Sequence, residues 1–259
     1  MDLRIILVSF DREVLKETKV SVIPEVRMSK VVGRILPMFV FLGLVGSVLA
    51  ADAWMTKDFK QWDAKDVSKI MNDSPWAKTA TVSKYWPDVP KPGSSSEVQG
   101  PASDDFAQAT FLVRWVSSVT MHRAIARNGM LTQNESADEA DKYANQIPAT
   151  YDVAIIGHDM YPFGPLATDA AIEQLRQKVY IESKGTNLHV TPIKVEPRFD
   201  ADGKTIAAVT FHFPKKNADG SPVFASSLKG VDFVCSAGKD EIKVHFDFTK
   251  MVAQQGLDL

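Results

Sequence analysis

The chain has 259 residues, and its 30 basic and 32 acidic side chains give a formal net charge of −2. A near-neutral charge excludes proteins that bind nucleic acid or other polyanions through bulk positive charge. The single cysteine, Cys235, excludes an internal disulfide framework and any metal site that needs several cysteines.

The first feature in chain order is an uncharged run of 16 residues from Ile35 to Ala50, preceded by Lys30 and Arg34. The run is shorter than the roughly 20 residues that a helix needs to span a bilayer. Basic residues, an apolar stretch and small residues follow one another in the order typical of a secretory signal peptide. The sequence therefore predicts a periplasmic or secreted protein cleaved after Ala50, and a retained signal anchor is the alternative.

The segment before this run is too long for a signal peptide that starts at residue 1. A start at Met28 gives a signal peptide of ordinary length, residues 28–50. Residues 1–27 are then interpreted as an upstream extension that is not translated. Without residues 1–50 the net charge becomes −4, so we expect no nucleic-acid partner and, once the signal is removed, no stable transmembrane segment.

Residues 51–86 are predicted to be helical. Asp63 is typical of a helix N-terminus, because an acidic residue follows three positions later and apolar residues then recur at helical spacing over 64–72. Ser74 followed by Pro75 predicts a second helix, since serine caps helices and proline suits the first helical position.

Four tryptophans also lie in this segment. They are Trp54, Trp62, Trp76 and Trp86. The tryptophans either anchor the segment on the rest of the protein or form a docking arm for a partner. Anchoring is favoured, because tryptophan mainly contributes buried area and few proteins leave several exposed.

Residues 87–103 are rich in proline, glycine and serine, which predicts a linker or a long exposed loop. Residues 104–259 are predicted to form an α+β domain. It opens with a strand over 109–117, where β-branched and aromatic residues predominate.

Two helices are predicted next. The first begins after Ser118 or Thr120 and continues through Arg127, and Asn128 and Gly129 end it. The second is a polar, peripheral helix over 136–146.

A buried strand is predicted over 151–158, because it is apolar in the middle and bounded by turn residues. Thr168 or Asp169 then caps a further helix. The residues predicted to share one face of that helix are Ile172, Leu175 and Val179.

The C-terminal part of the chain has the pattern of antiparallel hairpins. The predicted strands are 188–199, 205–213, 231–236 and 241–248. Turn residues such as Asp202-Gly203 separate them, so consecutive strands are expected to be neighbours. The predicted fold class is α+β, with short N-terminal helices, a mixed region around a central strand, and an antiparallel β-meander at the end.

The common catalytic motifs are absent from the sequence, and the strongest candidate site lies in the meander. Strand alternation places His212 on one side of its strand, and His245 and Asp247 on one side of theirs. If those strands are neighbours, the three side chains share a face and form a candidate metal site or an acid–base pair. The alternative is the solvent-facing side of a one-sided sheet.

A second candidate is a ligand-binding loop at the end of the central strand. It consists of His158, Asp159, Tyr161 and Phe163. Loops at strand ends often carry function, and an aromatic loop suits a peptide or sugar ligand. The alternative is that these aromatic residues cap the core. No residue pattern predicts a cofactor, and Cys235 is interpreted as a buried apolar residue.

The segment WDAKDVSKIMNDSPWAK, followed by FLVRWVSS and the closing hairpins, resembles a group of uncharacterised exported bacterial proteins with a W-x-x-x-[DE]-V motif and a Ser-Pro-Trp. The resemblance implies a bacterial envelope location and transfers no catalytic residue. We therefore expect a non-catalytic binding or scaffolding module whose partner is an envelope protein or a small ligand. The alternative is a hydrolase or metal-dependent enzyme that uses the His/Asp cluster of the C-terminal sheet.

Overall fold

The computed structural model describes residues 52–83, 108–164, 166 and 168–259. The predicted upstream extension, signal peptide and linker lie outside these residues, as does Trp86. No helix within the described ranges is long and apolar enough to cross a bilayer.

The described residues form short helices with a few strands in the first part of the chain and strands alone from residue 179 onwards. The helices are α1 (Ala53–Thr56), α2 (Ala64–Asn72), α3 (Val119–Thr132), α4 (Ala137–Ala144) and α5 (Asp169–Arg176), with 3₁₀ turns at Phe59–Gln61 and Tyr161–Phe163. The strands are β1 (Ala77–Ser83), β2 (Gln108–Trp115), β3 (Thr150–Gly157), β4 (Val179–Glu182), β5 (His189–Val190), β6 (Lys194–Phe199), β7 (Ile206–Pro214), β8 (Gly230–Ala237), β9 (Asp240–Asp247), β10 (Val252–Ala253) and β11 (Gly256–Leu257). The predicted α+β class is confirmed.

Two antiparallel sheets pack face to face around the core. The first has the order β1-β2-β3-β7-β6, the second has the order β5-β4-β8-β9, and β10 and β11 form a separate pair. Phe211 of the first sheet lies against Phe233 of the second, with ring centroids 5.6 Å apart. Trp115 of the first sheet meets Phe246 of the second edge to face, with ring centroids 5.2 Å apart. Aromatic side chains from both sheets therefore fill the space between them.

Two C-terminal hairpins form, but they do not make one continuous meander. The single strand predicted over 188–199 is wrong, because the chain there is divided into β5, which pairs with β4 in the four-stranded sheet, and β6, which belongs to the five-stranded sheet. Strands β6 and β7 pair, and β8 and β9 pair. Strands β7 and β8 were expected to be neighbours, and this expectation is wrong, because residues 215–229 carry the chain from one sheet to the other. Each hairpin has one strongly apolar face, so placing them in opposite sheets lets the two faces cover each other.

The first predicted helix is confirmed, and the second is wrong. Asp63 caps α2 and exchanges hydrogen bonds with Asp66 in a capping box. Ser74 does not start a helix. Its hydroxyl donates to the carbonyl of Ile70 at 2.6 Å, and the chain continues into β1, which pairs with β2. The serine therefore satisfies the C-terminal end of α2 instead of the N-terminal end of a new helix.

Helix α3 begins after Ser118 as predicted but continues past the expected end at Gly129 to Thr132. A Cβ atom at Gly129 would lie 2.0 Å from the Glu135 carboxylate. The glycine thus accommodates a close approach and does not end the helix. Asn134, with a φ of 53°, occupies the left-handed conformation just beyond the end.

The helix after Thr168 is confirmed, but Val179 does not belong to it. Helix α5 ends at Arg176, and Val179 starts β4, where it pairs with Cys235 of β8. Sheet pairing therefore overrides the helical spacing at this position. The strands predicted over 109–117 and 151–158 are confirmed as β2 and β3.

The tryptophans of the N-terminal segment lie in the core. Trp54, Trp62 and Trp76 are 6%, 2% and 0% exposed. Trp54 and Trp76 meet edge to face with their ring centroids 5.6 Å apart. For these three residues the anchoring interpretation is confirmed.

Candidate functional site

The structure does not bring the predicted metal site together. His212 lies on β7 of the five-stranded sheet, whereas His245 and Asp247 lie on β9 of the four-stranded sheet. The prediction that they share a face is wrong, because it assumed that the two hairpins are adjacent in one sheet. Among the described residues, no group of three or more His, Cys, Asp or Glu side chains could hold a metal ion.

His212 instead belongs to a row of charged residues across its own sheet. Its Nδ1 lies 2.8 Å from the Asp152 carboxylate on β3, and its Nε2 lies 3.4 Å from the Glu196 carboxylate on β6. The Nε2 contact lacks hydrogen-bond geometry. Lys194 also binds Glu196 at 2.6 Å and, with His212, helps to hold the pKa of Glu196 below its ordinary value.

His245 and Asp247 have separate, local partners. His245 Nδ1 lies 2.6 Å from the buried Asp232 carboxylate, which Lys243 also approaches at 3.2 Å. Asp247 accepts hydrogen bonds from the backbone and hydroxyl of Thr249 and closes the turn after β9. These contacts stabilise the sheet and do not form a shared site.

The loop after β3 divides into exposed and buried parts. His158 is exposed, and Asp159 accepts a hydrogen bond from the backbone N–H of Tyr161 at 3.2 Å. The Tyr161 hydroxyl donates to Asp240 at the start of β9, and burial and then this bond raise the pKa of Tyr161. Phe163 is fully buried and meets Phe111 edge to face. Phe163 therefore caps the core and has no surface for a ligand.

An open cleft of about 550 Å³ lies beside the N-terminal tryptophans. Three lysines, two aspartates and an apolar wall line this lysine cleft: Asp52, Trp54, Met55, Lys69, Asp73, Ser74, Pro75, Lys78, Lys250 and Val252. The cleft is open to solvent, and charged and apolar side chains lie side by side along it.

The lysines of the cleft differ in their charge partners. Lys69 binds Asp52 at 2.7 Å, and its ammonium group lies 5.5 Å from the centre of the Trp54 ring. Lys250 lies 3.4 Å from Asp247. Both positive charges therefore have a carboxylate close by.

Lys78 is the exception. Its ammonium group donates to the Ser74 carbonyl at 3.2 Å and has no carboxylate within ion-pair distance in the described part of the chain. Burial lowers the pKa of Lys78 and the charge of Lys250 lowers it further, whereas the charges of Asp73 and Asp247 act in the opposite direction. This half-buried cation is suited to an incoming anion, which would supply a direct ion-pair partner.

Sequence reasoning did not identify this site. Lys78 lies where a helix was expected, and only the pairing of β1 with β2 sets its direction. Alternation along the segment AKTATVS was the available signal, since it places Lys78 on the same side as Ala80 and Val82.

In comparisons with known proteins, no family model matches the chain. No curated protein and no solved structure matches it.

Proposed function

We propose that the chain is an exported, non-catalytic binding module of the bacterial envelope that holds a small anionic ligand in the lysine cleft. The signal-peptide pattern of residues 28–50 and the resemblance to exported bacterial proteins support the location. The observation that carries the binding function is Lys78, a half-buried ammonium group with no carboxylate partner among the described residues.

The cleft favours a ligand that is both anionic and partly apolar. Met55 and Val252 offer apolar surface, and Lys78 and Lys250 offer positive charge beside it. A carboxylate, sulfonate or phosphate group at Lys78 would gain charge-assisted hydrogen bonds. The apolar part of the same ligand would lose contact with water against the wall.

The alternative, a hydrolase, requires His212, His245 and Asp247 to lie close together. They do not, because His212 lies on a different sheet from the other two. Cys235 is fully buried, and burial raises the pKa of its thiol. A buried protonated thiol is a poor nucleophile. Binding is therefore the better-supported function.

Anilinonaphthalene sulfonate, an apolar anionic fluorophore, tests the cleft directly. We expect saturable fluorescence enhancement with the native protein and a dissociation constant that rises about three- to tenfold in Lys78→Gln. Lys184→Gln is the matched control, because Lys184 is an exposed lysine between β4 and β5. Equal affinity in the native protein and Lys78→Gln would contradict the proposal.

The export part is tested separately by the intact mass of the protein from a bacterial host. We expect the mature chain to begin at Ala51 and to be recovered outside the cytoplasm. A mature N-terminus upstream of Met28 would contradict both the proposed start and the signal peptide.

A further inference from the structure

The C-terminal hairpin extends the apolar side of the lysine cleft. Val252 of β10 lines the cleft and lies directly opposite Leu257 of β11 in the register of the pair. Residues opposite one another in an antiparallel pair place their side chains on the same face, with Cβ atoms about 5 Å apart. Leu257 therefore continues, next to the cleft, the apolar surface that Val252 begins within it.

This face of the hairpin is turned towards solvent. Leu257 is 55% exposed and Val252 is partly exposed, whereas Ala253, on the opposite face, is buried. Met55 of α1 also lines the cleft and is 42% exposed. Single exposed apolar side chains are common on protein surfaces, but here two of them line one cleft and the third adjoins it. Met55, Val252 and Leu257 are called the apolar rim below.

Positive charge lies beside the apolar rim. Lys250 stands two residues before Val252, and both residues line the cleft together with Lys78. Lys250 has Asp247 at 3.4 Å, but Lys78 has no carboxylate within ion-pair distance in the ranges that the structure describes. A ligand whose anionic head meets Lys78 therefore has apolar surface next to it.

The shape of the cleft favours a ligand with an extended tail. Because the cleft is open to solvent, an alkyl chain can leave it along Val252 and reach Leu257. Each methylene group that loses contact with water on this path adds to the affinity. A small inorganic anion makes no use of this surface, and an uncharged alkane makes no use of Lys78.

Building on the function proposed above, we infer that the lysine cleft takes a single-chain anionic amphiphile. Its carboxylate, sulfonate or phosphate head binds Lys78, and its alkyl chain lies along the apolar rim as far as Leu257. The occupant is a dissolved molecule and not a lipid within a bilayer. Lys78 is half-buried, and two carboxylates that line the same cleft, Asp52 and Asp73, repel an anionic membrane surface.

Hexyl, octyl and decyl sulfonate, each below its critical micelle concentration, are titrated into the full chain by isothermal titration calorimetry. We expect the affinity to rise about twofold for each added methylene group, because the chain is only partly removed from water at an exposed rim. Lys78→Gln is expected to weaken all three sulfonates by the same factor, because it acts on the head group that they share.

Leu257→Ser tests the path of the tail. We expect it to leave the affinity for hexyl sulfonate nearly unchanged and to remove most of the gain from hexyl to decyl sulfonate. Leu131→Ser is the matched control, because Leu131 is 41% exposed near the end of α3 and does not line the cleft. This control is expected to keep the full gain with chain length.

Equal affinity for the three sulfonates in the native protein, together with weaker binding in Lys78→Gln, would overturn the amphiphile and leave the proposed function intact. Sulfonate binding that Lys78→Gln does not weaken would instead contradict the proposed function itself. A full gain with chain length in Leu257→Ser would also overturn the inference. If that variant does not fold, Met55→Ser replaces it and is judged by the same gain. Sedimentation with phosphatidylglycerol vesicles that is lost in the rim variant would show that the rim meets a membrane, which would overturn the dissolved ligand.

Discussion

The indole N–H of Trp76 donates to the backbone carbonyl of Asp258, 182 positions later in the chain, at 2.7 Å. The same Asp258 accepts hydrogen bonds through its carboxylate from the backbone N–H groups of Val119 and Thr120. These are the first two residues of α3, and Ser118 accepts the bond from the third, Met121. One residue near the C-terminus thus joins the tryptophan-rich segment to the start of the longest described helix.

We expect the replacement of Asp258 to destabilise the protein more than is usual for a residue so near the end of a chain. Asp258→Ala removes a carboxylate that caps two orphan N–H groups and lies at the positive end of the helix dipole. We expect the free energy of unfolding to fall by about 1–3 kcal/mol, measured by urea denaturation. Asp138→Ala, which removes an exposed acidic residue from the first turn of α4, is the control and is expected to change stability by less than about 1 kcal/mol. A loss no larger than that of the control would contradict the capping role.

Capping residues and the alternation of apolar and polar residues predicted the helices and strands that depend on residues close in sequence. The Asp63 capping box, the Ser118 cap and the alternation in β3 involve residues close in sequence, and each prediction is confirmed. Ser74 shows the limit of such signals, because the same hydroxyl can cap the start of a helix or satisfy the end of the preceding one. Only the pairing of β1 with β2 decides between them.

The candidate sites depend on contacts that no sequence spacing encodes. His212 and His245 have the same alternation pattern, but the crossing of residues 215–229 places them in different sheets. Strand order is set by the whole core, which is why reasoning from neighbouring residues placed these two histidines on one face.

The Asp232 carboxylate is expected to make stability depend on pH. Burial alone would raise its pKa, but the hydrogen bonds from His245 and Lys243 outweigh burial and lower it below the ordinary value of 3.8. A lowered carboxyl pKa stabilises the fold above the unfolded value, and this contribution is lost as the pH falls through the folded value. Asp232→Asn should therefore cost about 1–2 kcal/mol at pH 7 and progressively less in acid below about pH 4. Urea denaturation of both proteins across this range measures the difference, and a difference independent of pH would refute the assignment.

The thiol of Cys235 is expected to be unreactive in the folded protein. The residue is fully buried on β8, and burial raises the pKa of the thiol, so little thiolate is present or accessible at neutral pH. We expect iodoacetamide to label it only as fast as the protein opens, and at the rate of a free thiol in concentrated urea. Labelling in the absence of urea at the rate of a free thiol would show that β8 is exposed in solution.

Gly129→Ala tests whether the glycine of α3 is required by the neighbouring carboxylate. Alanine in a helix interior is favoured over glycine by about 1 kcal/mol, but its Cβ would lie 2.0 Å from the Glu135 Oε2 atom. That oxygen is the far end of a flexible side chain and is buried without a hydrogen-bond partner, so it gains solvation by moving into water. We therefore expect the free energy of unfolding to rise by up to about 1 kcal/mol. The pKa of Glu135, which burial and then the charge of Glu139 raise, should fall towards its ordinary value, as measured by NMR titration.

The same substitution in a Glu135→Ala background is the control, because no carboxylate has to move there. Similar gains in the two backgrounds would show that the carboxylate yields at little cost. A loss of more than about 1 kcal/mol in the native background, with a gain in the Glu135→Ala background, would show that Glu135 is held over the helix. In that case the glycine is required for the close approach, and the helix tolerates its low propensity for that reason.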